Sequence, residues 1–210
     1  IIATKIVNGQ SRDIVIGGGK TGTVVAFDAD SGDTLWETSV GIHQNDNLEV
    51  IPPVTSYDKP WGDPGEPIPV FPGHFGGGET PMAYQDGIVY APVVSLGART
   101  TPEWSETFPF SEGTGELVAI DVNNGNILWT NQFDAMVFGA ATIVNDLVFT
   151  STFNGMIHAF DRFTGQELWA FQAPAGINAW PAVSRDTILV PTGVQLGPEP
   201  PALIAFRLGK

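Results

Sequence analysis

The pattern Gly-x-x-x-Ala-x-Asp-x-x-x-Gly-x-x-x-Trp occurs three times in this 210-residue chain. The first copy is Gly22, Ala26, Asp28, Gly32 and Trp36. The second is Gly115, Ala119, Asp121, Gly125 and Trp129, and the third is Gly155, Ala159, Asp161, Gly165 and Trp169. A fixed period of this kind constrains the fold more than any local propensity, because one such unit cannot bury its apolar side alone. Each copy reads as a hairpin. "TVVAFD", "ELVAID" and "MIHAFD" are strands, and "DADSG", "DVNNG" and "DRFTG" are turns. The aspartate can accept backbone N–H bonds inside the turn, and the glycine supplies positive φ at the reversal. The tryptophan on each returning strand is expected to be a flat anchor packed between neighbouring units.

A further strand precedes each hairpin: "RDIVIGG", "DGIVYAPVV", "NDLVFTSTF" and "RDTILVPTG". Before these lie "IIATKIV", "ETPMAY", "FGAATIV" and "AWPAVS". Each unit is therefore expected to be a four-stranded antiparallel meander. Four such units predict an all-β chain, a β-propeller of four four-stranded blades. The expected blades are 1–50, 74–133, 134–173 and 174–210 of a single propeller segment. The last unit reaches "ALIAFRL" and lacks the Asp-to-Trp half, which suggests that another strand closes it. Two insertions interrupt the period. Residues 52–73 are proline-rich, and 95–114 are polar with Trp104, Phe108 and Phe110. Long ordered loops often carry function, so these either line a ligand face or cover a neighbouring blade or partner.

Composition excludes several classes. The formal net charge of -14 disfavours nucleic acid and anionic membrane surfaces. The absence of cysteine removes disulfides, zinc–thiolate sites and thiol nucleophiles. No apolar run approaches the roughly 20 residues of a membrane helix, and no signal peptide is visible. The opening "IIATKIV" reads as a strand that starts abruptly, as in a mature or cut chain. "IGGGKTG" is not a phosphate loop, because its spacing is wrong and a strand follows. His43, His74 and His158 lack metal-ligand spacing, and His158 reads as structural.

The repeat, with "IVNGQSRDIVIGGGKTGTVVAFDADSG", "FPGHFGGGETPMAYQDGIVYAPV" and "GQELWAFQAPAGINAWPAVSRDTILVPTG", resembles the pyrroloquinoline quinone (PQQ) propeller repeat family. It is most similar to the C-terminal half of the quinoprotein alcohol dehydrogenases. The resemblance implies half of an eight-bladed ring, although four blades could also close on themselves. It implies an N-terminal propeller half, or a second copy, as the partner that completes the ring. It also implies a periplasmic or extracellular location and a possible PQQ cofactor with calcium.

No catalytic residue and no metal ligand carries over, since the family's catalytic aspartate and most metal ligands lie outside these blades. The family's paired-cysteine motif is absent as well. Lys20 matches the basic position that contacts the quinone oxygens; its plainer reading is an exposed turn lysine. Phe138 falls where the family places an aromatic near the cofactor; its plainer reading is core filling. The family's Asn-Trp pair aligns with Gly78 and Glu79. That departure puts PQQ binding in doubt and leaves Glu79 to face the channel, to bind a cation or other ligand, or to be a solvated loop carboxylate. The expected function is one side of a PQQ site for alcohol or sugar oxidation, inactive in isolation. The alternative is a non-catalytic propeller scaffold for protein–protein binding.

Overall fold

The computed structural model describes residues 1–7, 10–46, 68–100, 106–194, 200–207 and 209. It contains no α-helix among them. The first sheet is β1 (Ile2–Val7), β2 (Gln10–Gly18), β3 (Thr23–Asp28) and β4 (Thr34–Ser39), paired in that order. There follow β5 (Ile68–Val70), β6 (Ala83–Gln85), β7 (Ile88–Ser95), β8 (Ala98–Thr100), β9 (Glu106–Thr107), β10 (Thr114–Asp121) and β11 (Ile127–Phe133). The chain continues with β12 (Thr142–Val144), β13 (Leu147–Ser151), β14 (Met156–Asp161) and β15 (Glu167–Gln172). It ends in β16 (Ala182–Ser184), β17 (Thr187–Thr192) and β18 (Ala202–Arg207). The second sheet is β6-β7-β10-β11, the third is β12-β13-β14-β15 and the fourth is β16-β17-β18; all pairings are antiparallel.

Two corrections follow for the expectation of four four-stranded units. The fourth sheet has three strands among the described residues. A fifth, small sheet of β5, β8 and β9 is built from the two insertions. The proline-rich segment was read as loop, yet Ile68–Val70 pairs with Ala98–Thr100. Pro69 is tolerated there because β5 is an edge strand of its sheet. Most of that insertion, residues 52–67, lies outside the described residues, as does Trp104.

The core lies between sheets. Ile14, Ile16, Val24, Ala26 and Trp36 of the first sheet pack on Val89, Ala91, Val93, Val118, Ile120 and Val122 of the second. Leu117 and Ala119, on the opposite face of β10, pack with Tyr90 against Val148 and Phe160 of the third sheet. Hence β10 is buried on both faces, while β3 alternates buried and half-buried positions. A strand between two neighbours needs apolar residues in sequence, whereas a strand with one open face needs only alternation.

The repeat builds the seams between sheets. Trp36 Nε1 donates to Val122 O at 2.8 Å, and Thr38 Oγ1 donates to Gly125 O at 2.6 Å. One unit later, Trp129 Nε1 donates to Arg162 O at 3.0 Å, and Asn131 Nδ2 donates to Gly165 O at 2.8 Å. The glycine is needed twice over. Gly125 and Gly165 have φ of 76° and 73°, and an added Cβ would lie 2.9 and 2.8 Å from the Trp36 and Trp129 rings. A bulge aims each tryptophan. In all three copies the register slips by one residue next to Ala26, Ala119 and Ala159, leaving Leu35, Leu128 and Leu168 without a partner. In the turns, Asp28 Oδ1 accepts from the Asp30 and Ser31 amides, and Asp161 Oδ1 from those of Phe163 and Thr164.

The third tryptophan departs from expectation. Trp169 remains 37% exposed, against 8% for Trp36. The fourth sheet offers no Asp-x-x-x-Gly turn among its described residues. Trp169 instead meets Phe206 edge-on at 5.1 Å, beside a cavity of about 590 Å³ also lined by Leu168, Ile188, Asp186 and Arg207. At the other extreme, a Cβ on Gly32 would touch nothing within 4 Å.

Candidate functional site

Consecutive antiparallel strands put alternate connections at opposite ends of the sheets. The Asp-x-x-x-Gly turns and the tight turns at Asp86, Asn145 and Arg185 share one end. The β2–β3 turn, the described parts of both insertions and the β11–β12, β13–β14 and β15–β16 connections share the other. Lys20, Glu79 and Phe138 all belong to this second, irregular end. Sequence reading chose them by resemblance, and topology gathers them independently.

Lys20 sits on the turn after Gly17, Gly18 and Gly19, followed by Gly22 with φ of 65°. Another backbone lies on this turn, and the glycine that the contact requires is Gly77. Gly78 N donates to Gly19 O at 2.9 Å, and a Cβ on Gly77 would come within 2.7 Å of the Lys20 carbonyl. The "GGGET" stretch is thereby held against the lysine. Lys20 Nζ donates to Glu79 Oε1 at 2.5 Å and to His74 O at 2.6 Å. It also lies 5.7 Å from the centroid of the Phe75 ring. The Lys20 side chain is 52% exposed and that of Glu79 is 18% exposed.

Sequence reading missed the aromatic group around this pair. Phe75 packs edge-on against Phe108 at 4.7 Å and against His74 at 5.1 Å, with Phe110 at 5.7 Å. The "HF" of residues 74–75, just after the proline-rich insertion, and the "FPF" of residues 108–110, inside the second insertion, were its only signal. Phe138 belongs to a separate cluster. It meets Phe153 at 5.5 Å over Val94, Leu96 and Met136, which agrees with its core-filling reading. Glu79, read as a candidate for the channel, is engaged by Lys20. His158 is buried in β14, pairs through Nδ1 with Glu167 Oε1 at 2.7 Å and stacks on Phe160, as its structural reading requires.

Two hollows flank the pair. One of about 320 Å³ is lined by Gly17, Gly18, Gly19, Gly78, Thr80 and Val93. The other, about 330 Å³, is lined by Lys20, Thr21, Asp46, Pro72 and His74. On its rim His43 Nδ1 lies 2.6 Å from Asp46 Oδ2, and Nε2 lies 3.0 Å from Gly22 O. Burial works against a charge on His43, but the Asp46 carboxylate and the Gly22 carbonyl outweigh it and raise its pKa above the ordinary value. Among the described residues, no group of three or more His, Asp or Glu could hold a metal ion. A strand follows Lys20, so the phosphate-loop reading stays excluded.

The comparisons agree with this architecture. A PQQ-repeat family model described as outer membrane protein assembly factor BamB matches residues 20–197. The chain belongs to the PQQ-type β-propeller repeat family. It is 33% identical over 139 residues to quinoprotein alcohol dehydrogenase PedE of Pseudomonas putida, covering 56% of this chain and 21% of that protein. It is 42% identical over 67 residues to the lanthanide-dependent methanol dehydrogenase of Methylorubrum extorquens, covering 31% of this chain and 11% of that one. The quinohemoprotein alcohol dehydrogenase of Comamonas testosteroni superposes with a TM-score of 0.69 at 20% identity, over 92% of this chain and 34% of that one. That likeness establishes a shared all-β propeller-type fold. The chain thus spans 21% of PedE and 22% of the quinoprotein ethanol dehydrogenase of Pseudomonas aeruginosa. No helix among the described residues is long and apolar enough to cross a membrane.

Proposed function

We propose that this chain forms one side of a quinone-dependent alcohol or sugar dehydrogenase propeller. Its sheets act as four blades of an eight-bladed ring, completed by an N-terminal half or by a second copy, in the periplasm or outside the cell. One observation carries the reading: a half-exposed lysine is held on a glycine turn at the irregular end of the sheets. The residues fit one edge of a PQQ site. The Lys20 ammonium would donate to quinone oxygens and stabilise negative charge there. Glycines 17–19 and 78 leave room for a flat group to approach backbone. Phe138 would act from the neighbouring cluster by holding the β11–β12 connection in place. When bound, PQQ accepts the two electrons of the alcohol. The calcium that accompanies it would need ligands from the completing half, since the described residues offer no such set.

The purified chain, titrated with PQQ and followed by quinone absorbance, is expected to bind the cofactor. K20M should weaken that binding about tenfold, the usual effect of losing a hydrogen bond to a charged group. Dye-linked alcohol oxidation should be undetectable for the chain alone, even with PQQ and calcium. Equal PQQ binding by the chain and K20M would overturn the role of Lys20. Turnover by the isolated chain would overturn the half-site.

A second reading is a non-catalytic scaffold for protein–protein binding. It is favoured by Glu79, which already neutralises Lys20, and by the family model's description as an outer-membrane assembly factor. A purified protein that binds no quinone under any of these conditions would select it.

A further inference from the structure

The geometry points to Glu79 as a selectivity element of the Lys20 site: an internal carboxylate holding the place that an acidic group of a ligand would otherwise take. The inference rests on the reading of Lys20 as a ligand contact, but concerns which ligands Lys20 will accept.

A lysine ammonium has three N–H donors and no acceptor. Two are committed, to His74 O at 2.6 Å and to Glu79 Oε1 at 2.5 Å. The cation is also shared with the Phe75 face at 5.7 Å. One donor is left for the adjoining 330 Å³ hollow. Glu79 is only 18% exposed, so its attraction to the lysine is less screened than that of a pair in open water.

The pairing is also fixed by backbone. Gly78 N donates to Gly19 O at 2.9 Å, and Gly77 touches Lys20 so closely that no Cβ fits. The loop that carries Glu79 therefore cannot drift from the turn that carries Lys20. Lys20, Asp46 and His74 line the hollow, with Glu79 outside it on Lys20 and His43 behind Asp46. An incoming carboxylate meets the Asp46 carboxylate at the hollow and a lysine already paired with Glu79. A neutral carbonyl or hydroxyl can take the third Lys20 donor without displacing Glu79. A carboxylate gains fully only if Glu79 lets go.

The test compares the chain, E79Q and the double variant K20M/E79Q by calorimetric titration with oxalate and, separately, with PQQ. E79Q should bind oxalate about tenfold more tightly than the unaltered chain, the effect of freeing one charge-assisted hydrogen bond. The double variant should lose the gain. Acetylation of Lys20, read by peptide mass spectrometry at fixed pH, should be faster in E79Q. Melting temperatures within a few degrees would show that all three proteins are folded. Oxalate affinity that is unchanged, weaker or undetectable in E79Q overturns the proposal, as does an unchanged acetylation rate. If oxalate binding rises on Lys20 but PQQ binds none of the proteins, the selectivity role stands and the quinone reading falls. If the chain and E79Q bind PQQ and oxalate equally, the quinone reading stands and this inference falls.

Discussion

The seam between the first two sheets and the seam between the last two are built from the same repeat, and they end differently. At the first, Trp36 lies under the Asp121–Gly125 turn, its indole donating to Val122 O. At the last, Trp169 has the same bulge behind it and the same alanine opposite it, yet rests on Phe206 and Phe171 beside a cavity. The strand makes the tryptophan available, but the following unit's turn makes it structural. A repeat motif is thus half of an interface, and its worth depends on whether the next unit brings the other half.

Replacement of the tryptophans should break this comparison most sharply if it is wrong. W36A should cost about 3–5 kcal/mol, as for other large buried aromatic residues. W169A should cost about 1 kcal/mol, the typical value for a substitution that opens no enclosed cavity. Urea denaturation of both variants reads the difference, and equal costs would show that Trp169 is sealed in solution. The glycines give a smaller, paired effect. G125A combines left-handed strain of about 1–2 kcal/mol with overpacking of about 1–3 kcal/mol against the Trp36 ring. G32A keeps only the strain, because its Cβ would meet open space. If G32A proves as costly as G125A in the same assay, something covers the Gly32 turn.

The smallest expected effect is electrostatic. Arg12 Nη1 lies 2.7 Å from Asp28 Oδ2, and this bond, with the Ser31 and Asp30 amides, lowers the Asp28 pKa from 3.8 to about 2. A depressed carboxyl stabilises the folded state above its unfolded pKa and loses that contribution as pH falls through the folded one. The contribution is therefore complete above about pH 4 and disappears toward pH 2. Asp161 is also lowered, chiefly by the Thr164 amide and hydroxyl, with the Phe163 amide and the Arg162 charge adding less. D28N should lose acid resistance in that window, followed by circular dichroism. R12M should move the same way by a smaller amount, since the turn amides remain.

The hairpins were legible in the sequence because the repeat prints two strands around an Asp-x-x-x-Gly turn. The bulge at Leu35, Leu128 and Leu168 was not legible, since one unpaired residue leaves no mark in composition. The pairing of Ile68–Val70 with Ala98–Thr100 joins segments that both break the period, so no spacing announces it. At the candidate site, Lys20 could be singled out through the family resemblance of "GGGKTG". Its engagement by Glu79 could not, since the two are 59 positions apart and meet only through the fit of Gly77 on Gly19. Phe138 lies on the β11–β12 connection, but its neighbours Val94, Leu96 and Phe153 come from the end of β7 and the β13–β14 connection, which no local pattern brings together.

The division of the sheets into a regular end and an irregular end also bears on how such a molecule can change. A six-residue strand separates the two ends by about 20 Å. Hydrogen-bonded ladders span that distance, so a lengthened loop at one end need not alter the register at the other. The two insertions illustrate this: the seam tryptophans on either side of them, Trp36 and Trp129, keep the same geometry. Loops at the Lys20 end could therefore be exchanged between related chains as cassettes, leaving the interlocking end to supply the foundation.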